Sequence, residues 1–228
     1  MAGGMTSSSP VTTIDKITYA TETRSTPFIS LSGPRRDAAG SSSASKGYFM
    51  QGFDGNSRMN VLQSLTFSSE TMATLSNFSS AKSHSAGLQS NTNGYSIGGY
   101  YTGALNSIHY VNFASDTPGA LAATLGQARY NPGSTFSATF GFVAGGMPSI
   151  TSVEKLNFSN LTNGYAGGSY SSTGPGSGTS LTKGYFIAGS YYSNCYSYTH
   201  ATETQQYLSA TNYAAAYLLS VNYWSGTR

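Results

Sequence analysis

Four stretches decide the fold, each a variant of one phrase: KGYFMQG at Lys46–Gly52, NGYSIGG at Asn93–Gly99, FGFVAGG at Phe140–Gly146 and KGYFIAG at Lys183–Gly189. Their leading glycines lie 47, 47 and 43 residues apart. The opening MAGGM at Met1–Met5 matches the end of the phrase, as VAGGM does at Val143–Met147. The 228 residues therefore hold five copies of about 46 residues each, with approximate bounds 1–45, 46–92, 93–139, 140–182 and 183–228.

A second phrase follows later in each copy. It reads ITYATET at Ile17–Thr23, LTFSSET at Leu65–Thr71, VNFASDT at Val111–Thr117, LNFSNLT at Leu156–Thr162 and YTHATET at Tyr198–Thr204. Apolar and polar residues alternate up to the aromatic position, which predicts a half-buried strand followed by a turn. Repeats of this length with three or four short strands are typical of propeller blades. The sequence therefore predicts an all-β fold, a single five-bladed β-propeller over residues 1–228, closed through a sheet shared by both ends of the chain.

The composition narrows the function. Charged residues make up only 8% of the chain and aromatic residues 13%, and so rich an aromatic content argues against disorder. The net charge is +3, and the Lys and Arg residues are scattered along the chain. They form no basic stripe that could follow a phosphate backbone, so we expect no nucleic-acid partner. We expect no membrane span, since no long apolar run occurs, and no cleavable signal at the amino terminus. Cys195, the only cysteine, excludes an internal disulfide and is expected to fill the core.

Each GYF-type phrase ends in a glycine or a pair of glycines, which we call the doublet, and the fold predicted above suggests a structural reason for it. Glycine lets backbones approach closely where inner strands converge on a propeller axis. We therefore expect these glycines to line the axis on the innermost strand: Gly3, Gly4, Gly52, Gly98, Gly99, Gly145, Gly146 and Gly189.

Charged residues recur at two repeat positions. A carboxylate lies three residues after the aromatic position at Glu22, Glu70, Asp116 and Glu203. A basic residue lies twelve before the next leading glycine at Arg35, Lys82 and Arg129. Because one arrangement is copied from blade to blade, we expect structural ion pairs within each blade: Glu22 with Arg35, Glu70 with Lys82 and Asp116 with Arg129. Copy four has lost both partners, with Leu161 and Ser172 at these positions.

No catalytic or metal-binding constellation emerges. His200 occupies the repeated aromatic position, His109 lies in an alternating strand, and His84 lies in a polar turn. Their spacing does not suggest a metal site. The run Gly174–Gly178 lacks the Gly-Lys-Ser of a phosphate loop, and no Gly-x-Ser-x-Gly elbow occurs. We therefore expect neither an enzyme nor a cofactor.

The repeats resemble known phage repeats. The run TTIDKITYATETRS at Thr12–Ser25, then LSGPRRDAAG at Leu31–Gly40 and KGYF at Lys46–Phe49, is similar to repeats in structural proteins of cyanobacterial and other marine phages. The glycine pattern also resembles kelch-type repeats, without their spaced Tyr and Trp. The resemblance implies a virion structural protein, such as a tail fibre or decoration protein, located in the phage particle.

Two functional hypotheses follow, and a third, a hydrolase or lyase on a propeller, is disfavoured because no acid–base constellation is present. The first is a non-enzymatic virion or tail-associated protein whose propeller surface contacts other virion proteins or the host surface. The second is a lectin-like propeller that binds glycans through one site per blade. A homo-oligomer within a particle is compatible with both.

Large apolar residues after the doublets are the predicted binding set: Met5, Phe53, Tyr100, Tyr101, Met147, Tyr191 and Tyr192. They would emerge together around the channel mouth, where loop-borne aromatics on a rigid scaffold make typical contact residues. The alternative is that each side chain folds under the neighbouring blade and seals the ring.

Overall fold

The computed structural model describes residues 2–170, 172, 174–189 and 192–210. Every regular element within these ranges is a β-strand, which confirms the all-β prediction. These residues contain no helix long and apolar enough to cross a membrane.

The strands follow one another in short hairpins. In chain order they are β1 (Lys16–Thr18), β2 (Thr23–Ser25), β3 (Ala39–Ser42), β4 (Lys46–Phe53), β5 (Arg58–Thr66), β6 (Thr71–Thr74), β7 (Ala86–Gln89), β8 (Asn93–Ile97), β9 (Ile108–Asn112), β10 (Thr117–Ala120), β11 (Gly133–Phe136), β12 (Phe140–Ala144), β13 (Ser152–Asn157), β14 (Asn163–Ser169), β15 (Gly176–Thr179), β16 (Lys183–Gly189), β17 (Tyr192–Thr199) and β18 (Thr204–Ala210). They form four antiparallel four-stranded sheets, which we call blade I (β3–β6), blade II (β7–β10), blade III (β11–β14) and blade IV (β15–β18). The two-stranded sheet of β1 and β2 is the N-terminal sheet, extended by the bridges Ala2–Ile14 and Thr13–Ser30.

The blades are arranged as a β-propeller. Their first strands β3, β7, β11 and β15 contact one another in succession and lie innermost. Glycine permits this approach, because a Cβ added at Gly87 would lie 2.2 Å from the carbonyl oxygen of Gly40 in the neighbouring blade. This close approach therefore requires glycine at position 87.

The expectation for the doublets is wrong. They end the second strand of each blade, not the first. They are needed there for their backbone angles: Gly98 and Gly99 have φ of 64° and 118°, and Gly145 and Gly146 have φ of 65° and 104°. Such positive φ values are costly for residues with a Cβ. Gln51 adopts a φ of 59° at the first position in blade I, where a non-glycine residue carries this strain.

A serine fixes the turn between the first and second strands of every blade. The Oγ of Ser43 accepts hydrogen bonds from the backbone N–H groups of Ser45 and Lys46, at 3.3 and 3.0 Å. Ser90, Ser137 and Ser180 accept the corresponding bond from the residue three positions later. This local geometry explains why the S-x-x-K type of turn recurs just before each GYF phrase.

The hydrophobic core lies between blades. One cluster joins Tyr48 and Leu62 of blade I to Val111 of blade II. Repeated ring pairs cross the interfaces: Tyr48 on Phe113, Tyr95 on Phe158, and Phe142 on His200. The prediction that His200 packs as an aromatic substitute fits its stacking at an interplanar angle of 3°.

The blade count differs from the sequence-based prediction. Four blades with four strands each are described, where five were predicted. The N-terminal sheet has only two named strands among the described residues, although its bridges occupy further blade positions.

Candidate functional site

The segments that connect successive blades bind both neighbours. At the end of each second strand, the second doublet glycine donates its N–H to the carbonyl of the residue at the basic repeat position. The bonds are Gly4 to Arg35 (2.8 Å), Gly52 to Lys82 (2.9 Å), Gly99 to Arg129 (2.8 Å) and Gly146 to Ser172 (2.9 Å). The doublet thus anchors the segment that leaves its own sheet.

The next residue of each connector pairs with the following blade. Arg36 exchanges two backbone hydrogen bonds with Phe53, at 3.0 and 2.9 Å. Ser83 with Tyr100 and Tyr130 with Met147 repeat this bridge. The residues after the doublets are therefore held by backbone bonds on both sides, and their side chains leave a rigid frame.

The basic side chains are buried between sheets. The guanidinium of Arg35 donates to the carbonyl of Phe49 (3.1 Å) and to Oε1 of Gln63 (3.0 Å) in blade I. The ammonium of Lys82 donates to the carbonyls of Ser96 (2.9 Å) and Ser107 (3.2 Å) in blade II. Burial lowers the pKa of Arg35 to about 10 and the pKa of Lys82 to about 7.

Arg129 repeats this arrangement with a charged partner. It donates to the carboxylate of Glu154 and to the carbonyl of Ser152 (2.9 Å) in blade III. Burial lowers the pKa of Arg129, and the charge of Glu154 opposes that shift.

The predicted pairing of acids and bases within a blade is wrong. Each basic side chain points into the following sheet, whereas each carboxylate turn faces the preceding one. Three of the carboxylates at the repeated acid position form ion pairs with other residues: Glu70 with Lys16, Asp116 with Lys46 and Glu203 with Lys155. Arg35 contacts Gln63 instead of Glu22, Lys82 contacts backbone carbonyls instead of Glu70, and Arg129 contacts Glu154 instead of Asp116.

Copy four replaces the ion pair with apolar contact. Leu161 occupies the acid position of blade III, and Tyr110 of blade II occupies the position that Lys16 holds in the N-terminal sheet. Both side chains pack against the same hydrophobic cluster. The acid position is thus an interface position, satisfied by either charge or apolar surface.

The residues after the doublets share one face of the propeller, which we call the doublet face. Met5 is 55% exposed and Tyr101 is 50% exposed, while Phe53, Tyr100 and Met147 are half-buried. Tyr191 lies outside the described residues, as does the side chain of Tyr192. The structure thus brings Met5, Phe53, Tyr100 and Met147 into equivalent places, and Tyr101 lies one residue beyond.

Arginine side chains lie over these aromatic rings. The guanidinium of Arg36 lies 4.8 Å from the ring centroid of Phe53. The guanidinium of Arg58 lies 5.5 Å from that ring and 4.7 Å from the ring of Tyr100. Tyr100 in turn meets Tyr130 edge-on at 5.0 Å. We call Arg36, Phe53, Arg58, Tyr100 and Tyr130 the arginine–aromatic cluster.

Backbone bonds link the connectors next to the inner strands. His84 donates its N–H to the carbonyl of Asp37 (2.9 Å), Asn131 to that of His84 (2.8 Å), and Gly174 to that of Asn131 (2.9 Å). All four residues have positive φ. The chain of bonds passes from one blade to the next and stiffens the doublet face.

Near these connectors, a hydroxyl, an imidazole and a carboxylate form a row of hydrogen-bonded side chains. Ser83 Oγ lies 2.8 Å from His84 Nδ1, and His84 Nε2 lies 3.3 Å from Asp37 Oδ2. Burial lowers the pKa of His84, with Asp37 acting in the opposite direction. Ser83 is fully buried, so a substrate cannot reach its hydroxyl in this conformation. In the part of the chain that is described, no three His, Cys, Asp or Glu residues are grouped to hold a metal ion.

The opposite face carries the serine turns and a crevice between blades II and III. The crevice has a volume of about 350 Å³. Its lining is Ser90, Asn91, Thr92, Ala138, Thr139, Phe140, Asn157, Phe158 and Ser159. Hydroxyl and amide groups beside two phenylalanine rings are suited to a neutral polar ligand.

A repeated buried polar position was not predicted from the sequence. Gln63, His109 and Glu154 each lie two residues before the apolar residue that opens the second phrase, and all are buried. His109 contacts Gln51 (2.7 Å) and Ser80 (3.3 Å), and burial followed by the charge of Lys82 lowers its pKa to about 4. The sequence feature that could have predicted this position is a polar residue that recurs at one place inside an apolar strand.

The fold and this surface define a β-propeller with a rigid, aromatic face. The chain matches no protein-family model and no curated protein sequence.

Proposed function

We propose that this protein is a non-enzymatic structural or tail-associated component of a phage virion, and that its doublet face attaches to other virion proteins or to the host surface. The phage assignment is supported by the repeat resemblance around Thr12–Ser25 and Leu31–Gly40. The attachment role is supported by the arginine–aromatic cluster and the exposed Met5 and Tyr101 beside it. This surface is the observation that carries the proposal.

Its composition favours protein contact. Tyrosine, tryptophan and arginine dominate binding hot spots, because they offer large contact areas with polar ends. The backbone bridge between Ser83 and Tyr100 fixes the chain beneath them, so little conformational entropy is lost on binding. The rings differ between blades, which favours one extended partner over identical ligands in each blade.

The experiment has two readouts. Mass spectrometry of purified particles should detect the chain, and binding of the isolated protein to particles or host cells should be measured beside it. Tyr101→Ala should weaken that binding at least about tenfold without lowering the melting temperature, as expected for a hot-spot residue. Leu181→Ala, which changes another exposed apolar residue on the opposite face, is the matched control. Absence from particles would contradict the phage assignment, and unchanged binding by Tyr101→Ala would contradict the attachment surface.

The lectin alternative is favoured by one observation, the crevice of about 350 Å³ on the turn face. Asn91 and Asn157 supply amides there beside the rings of Phe140 and Phe158. A glycan array tests it directly. A hit that is lost in Asn91→Ala and kept in Tyr101→Ala would favour the lectin hypothesis.

We also propose the five-bladed ring, with the N-terminal sheet as the fifth blade. Its bridge Ala2–Ile14 repeats the pairing of Met50 with Leu62 in blade I, which supports equivalent strand positions. The remaining position is that of an innermost strand. Residues 211–228 follow β18 in the chain, and Ser225–Arg228 reads SGTR where blade I has SASK at Ser43–Lys46. This match favours Val221–Trp224 as the closing strand.

A further inference from the structure

Arg58 is a cation of blade I that the repeat architecture does not require. It opens β5 and pairs across the hairpin with Phe53, the residue after the doublet. The equivalent places in the N-terminal sheet and in blade II hold Pro10 and Ala104. A proline and an alanine serve the fold at this position, so the hairpin itself does not need a positive charge there.

A second arginine flanks Phe53 on the other side. Arg36 forms the backbone bridge to Phe53, and Ser83 and Tyr130 hold this bridging place in the next two connectors. Residues directly opposite each other on antiparallel strands project their side chains to the same side of the sheet. Phe53 therefore lies between two arginines on the doublet face, and among the described residues only blade I has this arrangement.

Two aromatic rings hold the guanidinium of Arg58 in place. Its Cζ lies 5.5 Å from the ring centroid of Phe53 and 4.7 Å from that of Tyr100 in blade II. Rings that cover the face of a guanidinium leave its N–H groups directed outward along the edges, where they can bind a planar anion through two hydrogen bonds. The cation is thus positioned before any partner arrives.

Within the described part of the chain, Arg58 has no anionic partner. None of the ion pairs there includes Arg58, and its buried Nε has no hydrogen-bond acceptor. The neighbouring carboxylates are engaged elsewhere. Asp37 binds Arg36 at 2.9 Å, and Asp54 accepts two backbone N–H bonds within its own turn, which lower its pKa. Arg58 is therefore the uncompensated charge of the arginine–aromatic cluster.

We propose that Arg58 binds a carboxylate side chain, aspartate or glutamate, of a partner protein that docks on the doublet face. Two parallel N–H···O bonds from the guanidinium to the carboxylate oxygens are the geometry that arginine favours. The rings of Phe53 and Tyr100 beside it would contact the apolar neighbours of that acidic residue. This inference rests on the attachment role proposed for the doublet face and names the chemistry of the partner.

The charge of the cluster favours a carboxylate over a phosphate. A phosphate group carries about −1.5 to −2 charges near neutral pH. Arg58 offers one uncompensated positive charge, and the carboxylate of Asp37 beside Arg36 repels a second negative charge. A nucleic-acid backbone would need a row of such cations, because each phosphate contact uses one. A single carboxylate matches the charge that the cluster leaves free.

Two capped hexapeptides, GFEEFG and its neutral counterpart GFQQFG, test the proposal directly. Each is titrated into the full-length protein and followed by NMR line shifts. We expect GFEEFG to bind at least about fivefold more tightly, because hydrogen bonds between charged groups are stronger than those of a neutral amide. Raising the salt concentration from about 0.05 M to about 0.5 M should narrow this difference, since a partly exposed ion pair is screened.

Matched variants assign the binding to Arg58. Arg58→Gln should abolish the preference for GFEEFG while leaving the melting temperature unchanged, as Ala104 at the equivalent place implies. Arg58→Lys keeps the charge and loses the planar fork, so it should retain only part of the preference. Lys183→Gln removes the same charge beside a serine turn on the opposite face and should leave the preference unchanged.

The same variants separate this inference from the attachment role. Arg58→Gln should also weaken binding of the protein to particles or host cells, as Tyr101→Ala should. If Tyr101→Ala weakens attachment and Arg58→Gln does not, the doublet face is the attachment surface but no carboxylate anchors its partner. If neither affects attachment while GFEEFG still binds through Arg58, the attachment role is wrong and the carboxylate site remains.

Three results with the isolated protein would overturn the proposal. The first is equal affinity of the wild type for GFEEFG and GFQQFG. The second is a preference for GFEEFG that survives Arg58→Gln or is lost in Lys183→Gln. The third is tighter binding of inorganic phosphate than of GFEEFG, which would assign the cluster to phosphate.

Discussion

Lys82 is a buried cation whose ammonium group is satisfied by hydrogen bonds to backbone carbonyls. It is fully buried, and its two carbonyl partners are Ser96 on β8 and Ser107 immediately before β9. Arg35 and Arg129 hold the same repeat position and meet Gln63 and Glu154. Three of the four described connectors therefore send a cation between two sheets, the fourth carries Ser172 at this position, and the group that binds the cation varies.

The pKa of Lys82 predicts a pH dependence of stability. Its folded pKa is about 7 and its unfolded value is 10.5, so above pH 7 the unfolded chain binds more protons. Raising the pH through this window should therefore stabilise the protein, by up to about 1 kcal/mol per pH unit. Urea unfolding between pH 7 and 9 measures this, and stays below the range in which the tyrosines titrate.

Lys82→Met is the variant that isolates this contribution. The rise in stability with pH should vanish in it, because the buried ammonium group that causes the rise has been removed. Lys183→Met, at a partly exposed lysine, should keep the slope. A wild-type slope that persists in Lys82→Met would assign the effect to another group.

At the scale of elements, the serine turn is the most regular local device. Ser90 accepts bonds from the N–H groups of Thr92 (3.3 Å) and Asn93 (3.0 Å) and so joins the first two strands of blade II. Its equivalents perform this task in every blade. The turn sets which residue of the GYF phrase opens the second strand.

We expect Ser90→Ala to lower the free energy of unfolding by about 1 kcal/mol, since two backbone donors lose their acceptor at a partly exposed site. Chemical denaturation with a constant m-value measures it. Asn91→Ala in the same turn should change stability by less than about 0.5 kcal/mol, as is usual for surface positions. Equal effects of the two substitutions would argue against the role of the serine.

The whole molecule depends on how consecutive sheets pack. Ring pairs, apolar clusters and ion pairs all cross from one sheet to the next. A blade alone would expose these surfaces, so its stability comes from its neighbours.

Removal of residues 211–228 tests the five-bladed ring. If this segment closes the ring, its loss should lower the melting temperature by at least about 5 °C, equivalent to about 2 kcal/mol in a domain of this size. The repeat register places Val221 with the buried Ala39 and Gly226 with the exposed Ala44. Val221→Asp should therefore destabilise the protein and Gly226→Asp should not. Unchanged melting after truncation would exclude this closure.

Much of the strand pattern was predictable from the sequence. The GYF phrase forms the second strand of each blade, and the second phrase forms the third strand and its turn. Both predictions depend on the alternation of apolar and polar residues and on turn-forming residues, which are properties of short stretches of sequence. The doublets were misplaced because their glycines serve backbone angles at a strand end, and composition alone does not separate this role from close approach.

The sequence by itself determined the repeat, the all-β class and the residues that recur at each position, because periodicity and turn chemistry are local properties of the chain. Only the tertiary structure decided which of those residues meet. Glu70 pairs with Lys16 and Arg129 with Glu154, since each sheet presents its acid turn to the sheet before it and receives the connector's cation from that same side. Contacts between sheets depend on how the blades stack around the axis, and that stacking is a property of the whole molecule.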